Sequence, residues 1–349
     1  FAHVIKGQSH NMPMLRRMME LGCHLIDYEK ITDAKGRRLV LFGHHAGLAG
    51  MIETLRTLGL RMKWEGHDTP LLSIRSPYAY DSSEEAERAI AEAGRRIAGG
   101  DWPREWNPLV VGFAGYGHVS EGAQHVYAAL FPREIEPADL ARVHEAPPER
   151  NPFVKVVFRE EHMAEPAAPG APFDLQEYYR EPSKYRGTFE RHLPFLSVLV
   201  NAIYWEEKYP RLVTLDYLEK TWSGGKPRLR VIGDISCDIG GSVQCTYKAT
   251  EPDEPAYVYE PARKRFVDGA EGEGPAIVAV DFLPAELPRD ASLSFSKALG
   301  PFLLPLARAD FSRDFMDVDL PEPIRKAVIL HKGRLTENYR YLASYVGRE

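Results

Sequence analysis

Three glycines, Gly115, Gly117 and Gly122, follow an apolar run at Leu109–Val111, the first two before and the third within a helical pattern from about Val119 to Leu130. A strand, a tight turn and a helix in that order can hold a pyrophosphate. Glycine lets the backbone come close to the anion, and the helix offers its N-terminal amides and positive dipole end. His118 and Val119 open the helix and join the glycines as candidates for holding such a cofactor. The third glycine falls two positions later than in the GxGxxG spacing, so the motif is specific only with its strand and helix around it, and an ordinary tight turn is the competing reading. An acidic residue near the end of the next strand holds the adenosine ribose in such sites. Glu136 lies at about the expected ~20-residue distance, with Glu134 as its neighbouring competitor. A carboxylate there favours NAD, whereas Arg133 close by suits the 2′-phosphate of NADP, and the spacing leaves both cofactors open.

The elements that must position this turn alternate between helix and strand. Met12 to Gly22 has helical spacing and leads to the short apolar segment Leu25–Ile26; the opening residues before it read as a strand. Leu39–Phe42 reads as a strand and Gly47 to Leu60 as a helix. Ser82 and Ser83 before Glu84 and Glu85 signal the start of a further helix running to about Gly99. Asp101 to Pro108 is the expected connector between domains, and Glu165 to Pro172 a loop. Leu229–Ile232 and Ala276–Val280 read as buried strands, and Tyr257–Val267 around Pro261 as a hairpin. The expected class is α/β with two Rossmann-like lobes and mainly parallel sheets. Residues 1–105 with 282–349 would form a substrate-binding catalytic lobe, and 106–281 a dinucleotide-binding lobe.

Composition narrows the function. The chain has 349 residues, 44% hydrophobic and 27% charged, which suits two compact cores. A formal net charge of −6 argues against nucleic acid as a partner, since phosphate neutralisation needs a concentrated basic face. Cys23, Cys237 and Cys245 have no CxxC spacing and read as free thiols of a reducing compartment. No apolar run approaches the length of a membrane span, and the start lacks the pattern of a signal peptide, so a cytoplasmic location is expected and no membrane partner. The adjacent His44 and His45, read as strand residues, would point to opposite faces, so no metal site is expected.

Several segments, taken together and in order, carry a resemblance. They are Phe1-Ala2-His3-Val4-Ile5-Lys6-Gly7-Gln8, Leu25-Ile26-Asp27-Tyr28-Glu29, Gly36 to Gly43 with Ala46-Gly47, Gly115 to Gln124, Asn201 to Trp205, Asp234 to Asp238 and Leu283 to Ser292. This pattern resembles the lysine-forming saccharopine dehydrogenase family, also called lysine–ketoglutarate reductases, of the alanine dehydrogenase-like superfamily. The resemblance implies that the chain leaves the first lobe, forms the nucleotide lobe and returns near Asp281. It also implies an NAD(P)-dependent oxidoreductase that condenses the ε-amine of lysine with the keto group of 2-oxoglutarate and reduces the imine to saccharopine, or the reverse.

The family's site residues carry over by motif. His3 matches the catalytic histidine, a suitable proton shuttle because imidazole titrates near neutral pH. Lys6 matches a lysine that pairs with an aspartate, Asp238 rather than Asp234, and Glu29 a carboxylate that tunes its neighbours. The bland reading of these charges is a surface ion pair of little worth. Arg38 matches a substrate-binding position, where a guanidinium can clamp a carboxylate, while Arg37 faces solvent. Phe42 would line the pocket or simply belong to the core. Asn201, Tyr204, Trp205 and Arg289 lie in family motifs with packing as their default role. The resemblance also places a second catalytic lysine upstream of Phe1, so the first lobe is expected to be N-terminally incomplete, with that segment preceding Phe1 or supplied separately. A saccharopine-oxidising enzyme, fused or separate, is the implied partner. Two other functions remain open: an alanine dehydrogenase-like amino-acid dehydrogenase, and a regulatory module that binds cofactor without turnover.

Overall fold

The computed structural model describes residues 2–347. Packing divides the chain into two compact units: one holds the chain up to Phe42 and from Ser292 onward, the other Gly43–Ala291.

The larger unit is built on eight strands: β1 (Leu109–Ala114), β2 (Arg133–Ile135), β3 (Phe153–Phe158), β4 (Val198–Asn201), β5 (Val231–Asp234), β6 (Ala256–Glu260), β7 (Arg265–Asp268) and β8 (Ala276–Val278). Their order across the sheet is β7-β6-β8-β5-β4-β1-β3-β2. The run from β8 to β2 is parallel, and β6 joins both β7 and β8 antiparallel. Parallel strands buried on both faces need apolar residues at every position, and Leu-Val-Val-Gly-Phe-Ala of β1 supplies them. Its residues alternate between two cores: Leu109, Val111 and Phe113 face one, Val110 and Ala114 the other.

Three helices cover the first of those cores: α1 (Gly43–Trp64), α2 (Ser83–Ala98) and α3 (His118–Ala128). Leu48, Met51, Ile52, Leu55, Leu58 and Met62 of α1 recur at three- and four-residue steps and are buried there. α2 starts where its cap directs, with the Ser82 hydroxyl accepting from the Glu85 amide at 3.3 Å. Because α1 buries its apolar residues in the core beneath β1, the packing division falls at 42/43, whereas the sequence reading grouped all of 1–105 with the return segment.

The expected βα step and the hairpin of β6 and β7 are present. Other local readings are corrected. Leu39–Phe42 is not a strand: after a turn held by Asp33, one bridge joins Thr32 to Arg38 and the Leu39 amide donates to the Ile31 carbonyl at 2.9 Å, but the pairing goes no further before the chain enters α1. His44 and His45 therefore lie in the first turn of a helix rather than in a strand. The opening segment is not a strand either, since His3 at φ +48° interrupts any extended run; Phe1 lies outside the described residues.

The smaller unit carries the helix Met12–Glu20 and a three-stranded sheet, with Leu25–Ile26 and Arg334–Leu335 flanking Val328–His331. Both pairings are antiparallel, unlike the parallel expectation for this lobe. For the second pairing the reason is local: Lys332 and Gly333 both have positive φ, the geometry of a tight two-residue hairpin, which can only return the strand antiparallel.

Candidate functional site

β1 ends at Ala114 and the chain turns sharply into α3. Gly115 has φ +96°, and a Cβ there would stand 2.9 Å from the Ala202 carbonyl oxygen, so this position accepts glycine alone. Gly117 begins α3 with no side-chain cap, and a Cβ there would meet no protein atom within 4 Å. Backbone amides at a helix start with open space before them suit an anionic ligand. Gly122 has another task. It is buried, and its Cβ would stand 2.0 Å from the His44 carbonyl oxygen, so it lets α1 cross α3 and does not face the open side of the turn. Val119 takes part in the same crossing through its carbonyl oxygen, opposite Gly47. The His118 ring is exposed and bonded to Glu121 at 3.0 Å.

In front of the turn lies a cleft of about 440 Å³ at the C-terminal ends of β1, β3 and β4. This is where the chain order reverses across the sheet, the place at which open α/β sheets take ligands. Gly115, Gly117, Met163, Tyr178, Ile203 and Trp205 are among its walls. Glu160 lines it too, accepting from the Tyr179 hydroxyl at 2.5 Å. Burial and the Glu160 carboxylate raise the pKa of Tyr116 and Tyr179, so both phenols are neutral donors.

Glu136 is absent from this gathering. It is exposed and follows β2, which is the outer strand of the sheet, with β3 between it and β1. The strand beside the glycine turn is β3, so the ribose-binding role read for Glu136 is corrected. Glu134 is bound to Lys155 at 3.1 Å.

At the end of β5, Asp234 is fully buried. Its carboxylate accepts from Asn201 Nδ2 at 2.7 Å, from Thr246 Oγ1 at 2.5 Å and from the Cys237 amide at 3.3 Å. Burial pushes its pKa up to about 6 despite these donors. The arrangement ties β4 to β5 and gives Asn201 a structural task. Asp238, four residues on, is exposed. Burial, then Asp234, pushes the Cys237 thiol up to about 12, and its Sγ donates to the Ala279 carbonyl, so it is a poor nucleophile.

In the smaller unit His3 and Lys6 are exposed, while Ala2 and Val4 on either side of His3 are buried. The His3 carbonyl accepts from Asn11 Nδ2 at 3.1 Å. Arg38 donates to Glu29 at 2.8 Å, which brings two of the expected residues together. Phe42 stacks on Phe295 with ring centres 4.8 Å apart and planes at 8°, and Tyr28 meets both rings edge-on. Lys6 belongs to this unit and Asp238 to the larger one.

Comparison with known proteins adds to this geometry. Residues 182–338 match the family model described as alanine dehydrogenase/PNT, C-terminal domain. The chain is 34% identical over 356 residues to alpha-aminoadipic semialdehyde synthase, mitochondrial, of Rattus norvegicus, and 34% identical over 354 residues to alpha-aminoadipic semialdehyde synthase of Arabidopsis thaliana. Each alignment takes in 98% of this chain but 38% and 33% of those relatives, so the chain spans about a third of their length. It is also 26% identical over 323 residues to saccharopine dehydrogenase [NAD(+), L-lysine-forming] of Emericella nidulans, covering 90% of this chain and 70% of that one. Along nearly its whole length the chain is thus similar to part of alpha-aminoadipic semialdehyde synthase and, at lower identity, to lysine-forming saccharopine dehydrogenase. A solved L-alanine dehydrogenase superposes with a TM-score of 0.58 at 15% identity over 97% of this chain and 73% of that one, which shows a shared fold.

The residues around the cleft that sequence reasoning missed are Tyr116, Arg159, Glu160 and Tyr179. A signal for two of them existed. Phe153-Val154-Lys155-Val156-Val157-Phe158 is an apolar run of strand length, and Arg159-Glu160 follows it directly. Which strand neighbours β1, however, depends on tertiary pairing.

Proposed function

We propose that this chain is a nicotinamide-dinucleotide-dependent oxidoreductase of the lysine–saccharopine step, joining the ε-amine of lysine to 2-oxoglutarate and reducing the resulting imine, or running in reverse. The observation that carries the reading is the Gly115–Gly117 cradle before a 440 Å³ cleft at the switch point of a parallel sheet. The unit bearing that sheet is the nucleotide lobe, and the unit with His3, Glu29 and Arg38 serves the substrate. The names of the relatives agree with this chemistry.

The residues present fit a dinucleotide: an uncapped helix start, open space at Gly117 and an apolar, aromatic cleft beside it. Gly115, Gly117 and the first amides of α3 would hold the pyrophosphate, and a bound dinucleotide supplies or accepts a hydride. The rest is proton and charge management. Attack of the amine on the ketone gives a carbinolamine, which loses water to form the imine. His3 takes the ammonium proton and returns one to the departing hydroxyl, a task open to imidazole because its ring nitrogens can both accept and donate a proton. Arg38 binds a substrate carboxylate in the bidentate manner open to guanidinium, with Glu29 setting its orientation. Titration of the chain with NADH and NADPH, followed by nucleotide fluorescence, tests the reading; saturable binding that Gly117→Ala weakens supports it, and absence of binding to either nucleotide ends it.

A further inference from the structure

The topology of the large sheet relocates the adenosine subsite. In a dinucleotide-binding sheet the ribose next to adenine meets the end of the strand adjacent to the glycine strand, where a carboxylate selects the free 2′-hydroxyl and a nearby arginine accommodates a 2′-phosphate. Here that strand is β3, paired with β1 in register from Leu109 with Phe153 to Ala114 with Phe158. Its last residue is Phe158, which has no carboxylate to offer, and Arg159 follows. We propose that Arg159, seated on Tyr116, is the specificity determinant of the nucleotide site and makes the chain selective for a dinucleotide carrying a 2′-phosphate. The inference rests on the reading of the glycine turn as a dinucleotide cradle.

Three features support it. The Arg159 guanidinium lies over the Tyr116 ring with 4.6 Å to its centre, and Tyr116 is the residue between the two cradle glycines, so the cation is fixed beside the pyrophosphate position. Arg159 and Tyr116 also line a second hollow of about 460 Å³ that shares Tyr116 and Glu160 with the main cleft. A nucleoside in the main cleft thus has beside it a space for a substituent on its ribose, in which, among the described residues, Arg159 is the one cation and Glu160 and Glu161 are the carboxylates. Finally, the nearest acid is already engaged: Glu160 accepts from the Tyr179 hydroxyl, and Tyr116 also hydrogen-bonds to it. A carboxylate held by two phenols is less able to serve the 2′-hydroxyl of NAD.

The test compares the affinities of the full chain for NADPH and NADH by fluorescence titration, and displacement of bound NADPH by 2′,5′-ADP or 5′-ADP. The expected result is that NADPH binds at least about tenfold more tightly than NADH, and 2′,5′-ADP more tightly than 5′-ADP, as a charge-assisted bond to one phosphate allows. Arg159→Ala should weaken NADPH and 2′,5′-ADP by about the same factor while leaving NADH within about twofold, and Arg159→Lys should retain part of the preference. Because Arg159 is exposed, unchanged NADH binding also reports that the variant is folded. Equal or tighter binding of NADH, or an equal loss for both nucleotides in Arg159→Ala, overturns the assignment while leaving the cradle reading intact. Failure of both nucleotides to bind overturns both.

Discussion

Gly47 and Gly122 meet where α1 crosses α3: a Cβ on Gly47 would stand 3.0 Å from the Gly122 Cα and 1.9 Å from the Val119 carbonyl oxygen. The contact is backbone against backbone, so nothing at the crossing can swing aside. Gly122→Ala should therefore lower stability by about 1–3 kcal/mol or more, the usual range for overpacking. Thermal unfolding checks this. Full stability together with lost nucleotide affinity would return Gly122 to the phosphate site.

Gly117 is the opposite case. Its φ of −80° and ψ of −175° are open to any residue, and a Cβ there meets no protein atom. Gly117→Ala should leave the melting temperature unchanged and weaken nucleotide binding at least about tenfold, or ~1.4 kcal/mol. A variant that melts early but binds normally would assign this glycine to folding.

Arg38 and Glu29 form an ion pair in which the arginine side chain is 52% exposed and the glutamate 18%. Such pairs contribute about 0–1 kcal/mol to stability. Arg38→Ala should hardly move the melting temperature but should raise KM for the dicarboxylate substrate by about tenfold or more, with a smaller change in kcat. An unchanged KM with reduced stability would make the pair a structural clasp.

Glu286 is buried near Glu53 in the larger unit, and burial, then the Glu53 carboxylate, pushes its pKa up to about 8 from 4.5. Burial raises Glu53 as well. The folded state thus keeps a proton on Glu286 that the unfolded chain releases above about pH 4.5. Its contribution to stability is complete below that pH and declines as pH rises through about 8. Glu286→Gln, which keeps the neutral shape, should melt at the parent's temperature near the acid end of this window and several degrees higher near pH 8, since ~1 kcal/mol is worth roughly 2–4 °C in a chain of this class. Identical pH profiles for parent and variant would count against a protonated Glu286.

What could be read without coordinates was local. The switch from the apolar run at Leu109 to helical spacing at Val119, with glycines between, exposes β1, its turn and α3, and Ser82 marks the start of α2. Two kinds of information were hidden. Gly122 looks like a cofactor glycine until α1 is seen to lie against it, 75 positions after Gly47 in the chain but touching it in space. Glu136 has the expected separation from the turn, but separation along the chain cannot reveal that β3 inserts between β1 and β2. On the proposed reading the ribose end of the cleft lies beside Arg159 rather than Glu136. Leu39–Phe42 has strand-like residues, yet its pairing stops at Leu39 beside the single Thr32–Arg38 bridge, and its apolar side chains go to clusters such as the Phe42–Phe295 stack.

The most direct test of the proposed function is the consumption of reduced nicotinamide dinucleotide by the full-length protein supplied with lysine, 2-oxoglutarate, both together, or pyruvate with ammonia. The account predicts loss of nucleotide absorbance only when lysine and 2-oxoglutarate are both present, with saccharopine as the product and with His3→Ala depressing turnover far more than nucleotide affinity. Nucleotide binding without consumption under any of these conditions, or consumption with pyruvate and ammonia in place of lysine and 2-oxoglutarate, would contradict it.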